Sequence, residues 1–378
     1  MSRRTFAIAA TLSVLALGSP LVGANANPLA TQYFDQGVEK YDTGNYQGAI
    51  DDWSRAIAIN PKNALAYYNR GLAKHDLQDY QGAIADYTKA IDINPQYAIA
   101  YGNRGNSKIK LGDYQGAVAD YDKVIEIKPK DVIVYYNRGM AKDKSGDYQG
   151  AIADYTEAIG INPQYVGAYF RRALAKSKLG DNQGAIADYN KALEIIPEDA
   201  DVYYNRGIAK RKLGDYQGAI ADYNKAIEIN PQHAVAYNNR GVAKFNSKDY
   251  QGAIADYSKA LEINSKYASA YYNRGNTKSD LEDYQGAISD YTKTVEINPE
   301  DANAYYNRGV AKFNLKDYQG TIADYNKAIE INPELANAYK NRGIAKELAN
   351  DLEGACRDWR KAADFGLTQP AEWVKKQC

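Results

Sequence analysis

The residues of this chain whose chemistry could matter come in columns. Asn69 has counterparts at Asn103, Asn137, Asn205, Asn239, Asn273, Asn307 and Asn341. A carboxamide carries both a donor and an acceptor, so a row of them can pair with the backbone of an extended peptide without reading its sequence. The same residues could instead cap or bridge neighbouring helices. Beside them runs an aromatic column of Phe34, Tyr68, Tyr136, Phe170, Tyr204, Tyr272 and Tyr306, able to supply side-chain pockets. Together with Leu65 and Leu72 these positions follow i, i+3, i+4, i+7 spacing, a stripe separate from the one that Tyr67 and Gly71 would turn to the core. An apolar-aromatic stripe that the local core does not need is a candidate binding surface. Arg171 stands where the Asn column requires Asn, either as a specific ionic contact partway along or as drift within one copy.

A third column is charged. Arg70 and Lys74 lie one helical turn apart, and Asp86 adds one carboxylate; Arg recurs in nine units, Lys and Asp in ten. Such a strip could grip an ionic ligand, but the near-equal counts favour a ladder of partly buried ion pairs stitching helices together. Catalysis has little to stand on. His75 and His233 lie in different units, so neither a metal site nor a nucleophile–base pair can be drawn from them. Carboxylates recur throughout, whereas a catalytic pair would occur once. No cofactor, metal or small-molecule substrate is expected.

What positions these columns is a 34-residue repeat, in register from Ala30 to Gln369 as ten units without insertion or deletion. In the unit Ala64–Tyr97, the positions Ala83, Ile84, Tyr87, Ala90 and Ile91 make an amphipathic helix beginning near Tyr80. Asp79 is its N-cap and Pro95 its stop. An earlier helix spans about Leu65 to Asp76 and turns Gly71 inward, where Gly opposite Ala83 and Ala90 allows close helix approach. One such hairpin cannot bury its own apolar face, but ten stacked copies can.

The period, the Gly71 column, Ala83 with Tyr87, Ala90 and Pro95 resemble the tetratricopeptide repeat family. The resemblance implies an all-α, right-handed solenoid whose concave wall is lined by the first helices and binds proteins or extended peptides. The chain departs from the family pattern where Arg replaces the usual Leu (Arg70 and its counterparts) and Lys the usual Tyr (Lys74). The Asn column resembles the asparagine ladder in the repeat region of O-linked N-acetylglucosamine transferases, although no residues remain for a catalytic domain. The family's clamp for acidic chaperone tails needs inner-wall lysines, and only Lys340 matches.

The ends read differently. Arg3 and Arg4, an uncharged run from Phe6 to Leu17 and Ala24-Asn25-Ala26 read as a secretory leader over 1–26, with ordinary secretion favoured over a twin-arginine route. Residues 27–29 would form the mature N-terminus, 30–369 the repeats and 370–378 a capping helix that starts near Thr368. Removing Arg3 and Arg4 leaves 45 basic against 47 acidic side chains, which argues against nucleic acid as a partner. No second long apolar run suggests stable membrane insertion. Cys356 and Cys378 are too few for a disulfide framework or zinc site, but an oxidising compartment would let them join and staple the cap. The expectation is an exported, non-catalytic scaffold, in the periplasm by default, with a thylakoid lumen or the extracellular space as alternatives. A structural spacer, a self-associating array and a polysaccharide binder remain open.

Overall fold

The computed structural model describes residues 27–378, so the expected leader lies outside the described residues. All 21 regular elements among the described residues are α-helices. Ten first helices are α1 (Pro28–Asp42), α3 (Ala64–Asp76), α5 (Ala98–Lys110), α7 (Val132–Lys144), α9 (Val166–Lys178), α11 (Ala200–Lys212), α13 (Ala234–Asn246), α15 (Ala268–Asp280), α17 (Ala302–Asn314) and α19 (Ala336–Leu348). Each pairs with a second helix: α2 (Tyr46–Ile59), α4 (Tyr80–Ile93), α6 (Tyr114–Ile127), α8 (Tyr148–Ile161), α10 (Asn182–Ile195), α12 (Tyr216–Ile229), α14 (Tyr250–Ile263), α16 (Tyr284–Ile297), α18 (Tyr318–Ile331) and α20 (Leu352–Asp364), and α21 (Thr368–Gln377) follows. The chain divides into two compact units, one through Pro197 and one from Glu198 to Cys378.

Each hairpin is dictated locally. The Asp79 carboxylate accepts from the Gly82 N–H at 2.9 Å and caps α4, a contact worth about 1 kcal/mol. Gly82 lets the carboxylate sit this close, since a Cβ there would make the Asp79 side chain shift. The helix ends where Asn94 turns extended (φ −128°, ψ 90°) ahead of Pro95. Between the paired helices the chain passes through a left-handed residue, Gly112 at φ 82° in one hairpin and Gln78 at φ 65° in another. A Cβ on Gly71 would lie 2.7 Å from the Tyr87 ring, so glycine sets how closely α3 and α4 approach.

The core corrects one expectation. In the second hairpin Tyr68 and Leu72 are buried with Ala83, Tyr87, Ala90 and Ala100, while Tyr67 is only partly buried. Tyr68 sits 5.9 Å from the Tyr87 ring and 5.1 Å from Tyr97 at the start of the next hairpin. Tyr67 instead lies under the Arg70 guanidinium, 5.5 Å from its ring centre. In this hairpin the stripe that seemed surplus is consumed where the next one stacks on it.

At the C-terminus Trp359, like Trp53 in the first hairpin, takes the place of the core tyrosine, and it packs 5.2 Å from Trp373 of α21. Cys356 and Cys378 are joined by a disulfide, which ties the chain end to α20. No helix among the described residues is long and apolar enough to cross a membrane.

Candidate peptide-binding groove

The charged columns form a structural ladder. Asp86 is 3% exposed and accepts from Arg70 Nε (2.9 Å) and Nη2 (2.6 Å), with Lys74 Nζ at 2.7 Å. The same triad recurs through Arg342, Lys346 and Asp358. Each guanidinium also covers a Tyr ring, as Arg274 covers Tyr271 at 5.6 Å. Cations already paired with a buried carboxylate have little left to offer an ionic ligand.

The Asn and Tyr columns turn out to be partners of one another. A residue of the aromatic column accepts from the residue 35 positions later, on the next first helix: Asn103 Nδ2 donates to Tyr68 Oη at 2.9 Å, Asn239 to Tyr204 at 2.9 Å, Asn307 to Tyr272 at 3.0 Å and Asn341 to Tyr306 at 3.0 Å. Asn273 donates to Asn238, which holds the aromatic column's place, at 3.1 Å. Burial pushes the phenols of Tyr204, Tyr272 and Tyr306 up, which keeps them protonated. Where the earlier residue has no oxygen the bond fails. Asn69 follows Phe34 and Asn137 follows Gly102, and both carboxamides are buried without a hydrogen-bond partner. Asn205 turns back to the Asp201 carbonyl of its own helix, at 2.7 Å.

The two units differ in what they leave open. In the first, Tyr68, Asn69, Asn103, Tyr136 and Asn137 are all at most 4% exposed, so they form an internal seam and no accessible wall. This removes them from the candidate groove, because the stacked first helices cover both columns. Phe170 and Arg171 are half-buried. Arg171 meets the Tyr136 hydroxyl and lies beside Tyr155 and Asp143, taking the place of Asn in the same 35-residue pairing. In the second unit Tyr204, Asn205, Asn239, Tyr272, Asn273, Tyr306, Asn307 and Asn341 all stay partly exposed. There Asn307 spends its two N–H groups on Tyr272 and Asn276, which leaves its carbonyl oxygen to accept from a backbone N–H.

The histidines have structural partners. His75 Nδ1 lies 2.8 Å from Ser107 Oγ, and His233 caps α13 by accepting from the Ala236 N–H at 3.3 Å. Among the described residues no group of three or more His, Cys, Asp or Glu could hold a metal ion. Sequence reasoning passed over the last turn of the first helices, where Tyr41, His75 and Asp76 line a cavity in the first unit. The available signal was that His75 is a one-off residue in an otherwise repetitive chain.

A tetratricopeptide repeat profile matches residues 64–97, 132–165, 200–233, 234–267, 268–301 and 302–335, more than half of the chain. The chain belongs to the tetratricopeptide repeat family. A second profile of TPR repeats matches 37–78, 105–143 and 176–212. No curated protein matches significantly. Among solved structures, the C-terminal part of a TPR repeat-containing protein from Cytophaga hutchinsonii is 18% identical with a TM-score of 0.56, covering 64% of this chain and 98% of that one. A tetratricopeptide repeat protein from Parabacteroides merdae is 20% identical, TM-score 0.50, covering 66% and 99%. YrrB, described as a TPR protein with an unusual peptide-binding site, is 24% identical, TM-score 0.44, covering 49% and 95%. These likenesses are likenesses of fold. The tetratricopeptide array is thus an all-α solenoid of a family that typically serves protein–protein interaction and is generally non-catalytic.

Proposed function

We propose that this tetratricopeptide array is a non-catalytic scaffold that binds an extended peptide, or an extended segment of a protein, along the first helices of its second unit. The observation that carries the reading is the run of partly exposed carboxamides at Asn239, Asn273, Asn307 and Asn341, each anchored by a neighbour. An anchored carboxamide is pre-oriented, so ordering it on binding costs less than ordering a free side chain. Tyr204, Tyr272 and Tyr306 add partly exposed aromatic surface beside the row. An assembly-factor role in an exported compartment, the periplasm by default, fits the leader-like N-terminus and the Cys356–Cys378 disulfide, since disulfides persist where the surroundings oxidise.

The test is selection of displayed random peptides on the full chain, with an Asn239→Ala, Asn273→Ala, Asn307→Ala variant of unchanged helicity run in parallel. Binders enriched by the native array and lost by the variant support the groove. Equal enrichment on both places binding elsewhere and ends this reading.

One observation favours the rival, a self-associating array. Leu77, Leu111 and Leu179 in the first unit and Leu213, Leu281, Leu315 and Leu348 in the second are each 39–49% exposed, in seven of the ten hairpins. Light scattering across a concentration series distinguishes it, since only that reading requires a larger mass at higher concentration.

A further inference from the structure

Three core tyrosines have a buried hydroxyl with no hydrogen-bond partner: Tyr87, Tyr155 and Tyr223. Counterparts in other hairpins do find one, Tyr121 in Asn106 at 2.6 Å and Tyr291 in Asn276 at 2.8 Å. The position of that Asn holds Leu72, Met140 and Ile208 in front of the three orphans. Two of the orphans have an arginine of the chain beside them, Arg171 at Tyr155 and Arg211 at Tyr223. The third, Tyr87, has a cavity of about 140 Å³ instead. A cavity of ~150 Å³ accepts a benzene-sized molecule.

The repeat supplies an internal template for what that cavity takes. Arg171 reaches Tyr136, Tyr155 and Asp143 from the position 35 residues after Tyr136. The equivalent position after Tyr68 holds Asn103, whose shorter side chain stops at the Tyr68 hydroxyl. The space a guanidinium fills in one place is therefore open in the other, with Tyr87 standing where Tyr155 does. Tyr41, Tyr46 and Tyr87 provide aromatic walls; Asp143, which lies beside Arg171, has His75 as its counterpart here, and the adjacent Asp76 supplies a carboxylate to the cavity. Asp76 accepts the Tyr41 hydroxyl at 2.5 Å and enters none of the ion pairs of the described residues.

The histidine on the wall is set up as an acceptor. Ser107 spends its proton on the Asn103 carbonyl at 2.9 Å, so His75 must donate Nδ1–H to Ser107 and present the Nε2 lone pair. Burial lowers the His75 pKa and holds the ring neutral at physiological pH. Asp42 adds a second negative charge near Tyr41, against the single positive charge of Lys110 near His75.

We propose that the cavity bounded by Tyr41, Tyr46, Leu72, His75, Asp76 and Tyr87 is a subsite for one alkylguanidinium or alkylammonium group. Such a group donates to Asp76, His75 Nε2 and the Tyr87 oxygen and lies against the rings. As a pocket for an Arg or Lys side chain it rests on the peptide-binding reading; as a site for a small free cation it does not.

The chain has two histidines, so ring NMR of the full chain reads His75 directly with His233 as internal reference. The probe is ethylguanidinium chloride at constant ionic strength and pH 7.5, with neutral, isosteric ethylurea as control. The expected result is a saturable shift of the His75 signals with ethylguanidinium, none with ethylurea, and no movement of His233. Asp76→Asn should weaken binding about tenfold or more, as loss of a charge-assisted hydrogen bond does. Asn103→Arg, which installs the tethered cation found at Arg171, should abolish it while leaving helicity intact. An absent or unsaturable shift, equal affinity in Asp76→Asn, or ethylurea matching the cation overturns the proposal. A second arm compares a Gly-Gly-Arg-Gly-Gly peptide with its norleucine analogue. Binding of ethylguanidinium without the Arg peptide keeps the site as one for a free cation and counts against its use by a peptide; binding of both supports the side-chain pocket.

Discussion

Consider replacing Asp290 by Asn, which keeps the shape and removes the charge. Asp290 is 2% exposed and accepts from Arg274 Nε at 2.9 Å and Nη2 at 2.7 Å, with Lys278 Nζ at 2.8 Å. Asparagine has one acceptor oxygen, so at least one of the three donors faces an NH2 group. Two cations, with side chains 19% and 20% exposed, then lose their counter-charge. Breaking a buried ion pair from one side costs about 3–5 kcal/mol, and the residual exposure of both cations places this case near 3 kcal/mol. That corresponds to roughly a hundredfold rise in local opening. Repeat arrays need not unfold in one step, so the readout is native-state hydrogen exchange of amides in α15 and α16. The control is Glu296→Gln, which breaks the exposed Lys293–Glu296 pair on α16 and should cost under about 0.5 kcal/mol. If Asp290→Asn changes exchange no more than Glu296→Gln does, the triads are ornament and the structural account of the charged columns is wrong.

Three further outcomes follow from the geometry. Phe34→Tyr should supply the missing partner of Asn69 and raise the stability of the first unit by about 1 kcal/mol, read as slower exchange in α1 and α3; a loss of stability would contradict the 35-residue pairing. Reducing the Cys356–Cys378 disulfide should loosen α21 by about 3 kcal/mol for a separation of 22 residues, read as tryptic cleavage after Lys375 and a change in Trp373 emission; unchanged cleavage would show that packing on Trp359 suffices. His75 has a folded pKa below its unfolded value near 6.5, with burial as the main cause, so the fold favours the neutral ring. Its contribution is fully present above about pH 6.5 and fades as pH falls toward the folded value; the loss of first-unit stability between pH 7 and 5 should therefore be smaller in His75→Gln, and an unchanged loss would assign it to other groups.

Hairpin chemistry was legible in the sequence because it is local. Asp79 with Gly82, Gly71 with Tyr87, and Asn94 before Pro95 all act within one 34-residue unit, and the structure places them as the spacing requires. The charged ladder was legible through stoichiometry, ten Asp against ten Lys and nine Arg. The assignment of Tyr68 and Asn69 to an open wall failed in the first unit, since periodicity says which residues share a stripe but not whether the next hairpin covers it. The Asn–Tyr bond was hidden for a related reason: it joins residues 35 apart, one more than the period, and so belongs to the stacking of units. The cavity beside Tyr87 was harder still. Leu72 and Asn103 are ordinary residues for their columns, so neither marks a cavity, which depends on how side chains of neighbouring hairpins meet around His75.

The central claim, that the first helices of the second unit carry the binding surface, is tested most directly by site-specific photo-crosslinking in an extract of the native source. A benzophenone side chain is placed at Tyr272 or Tyr306 on the proposed wall and, for comparison, at the exposed Lys259 or Lys293 on the second helices. The account predicts crosslinks to a common partner from 272 and 306, lost when Asn239, Asn273 and Asn307 are changed to Ala. Crosslinks confined to 259 and 293 would contradict it.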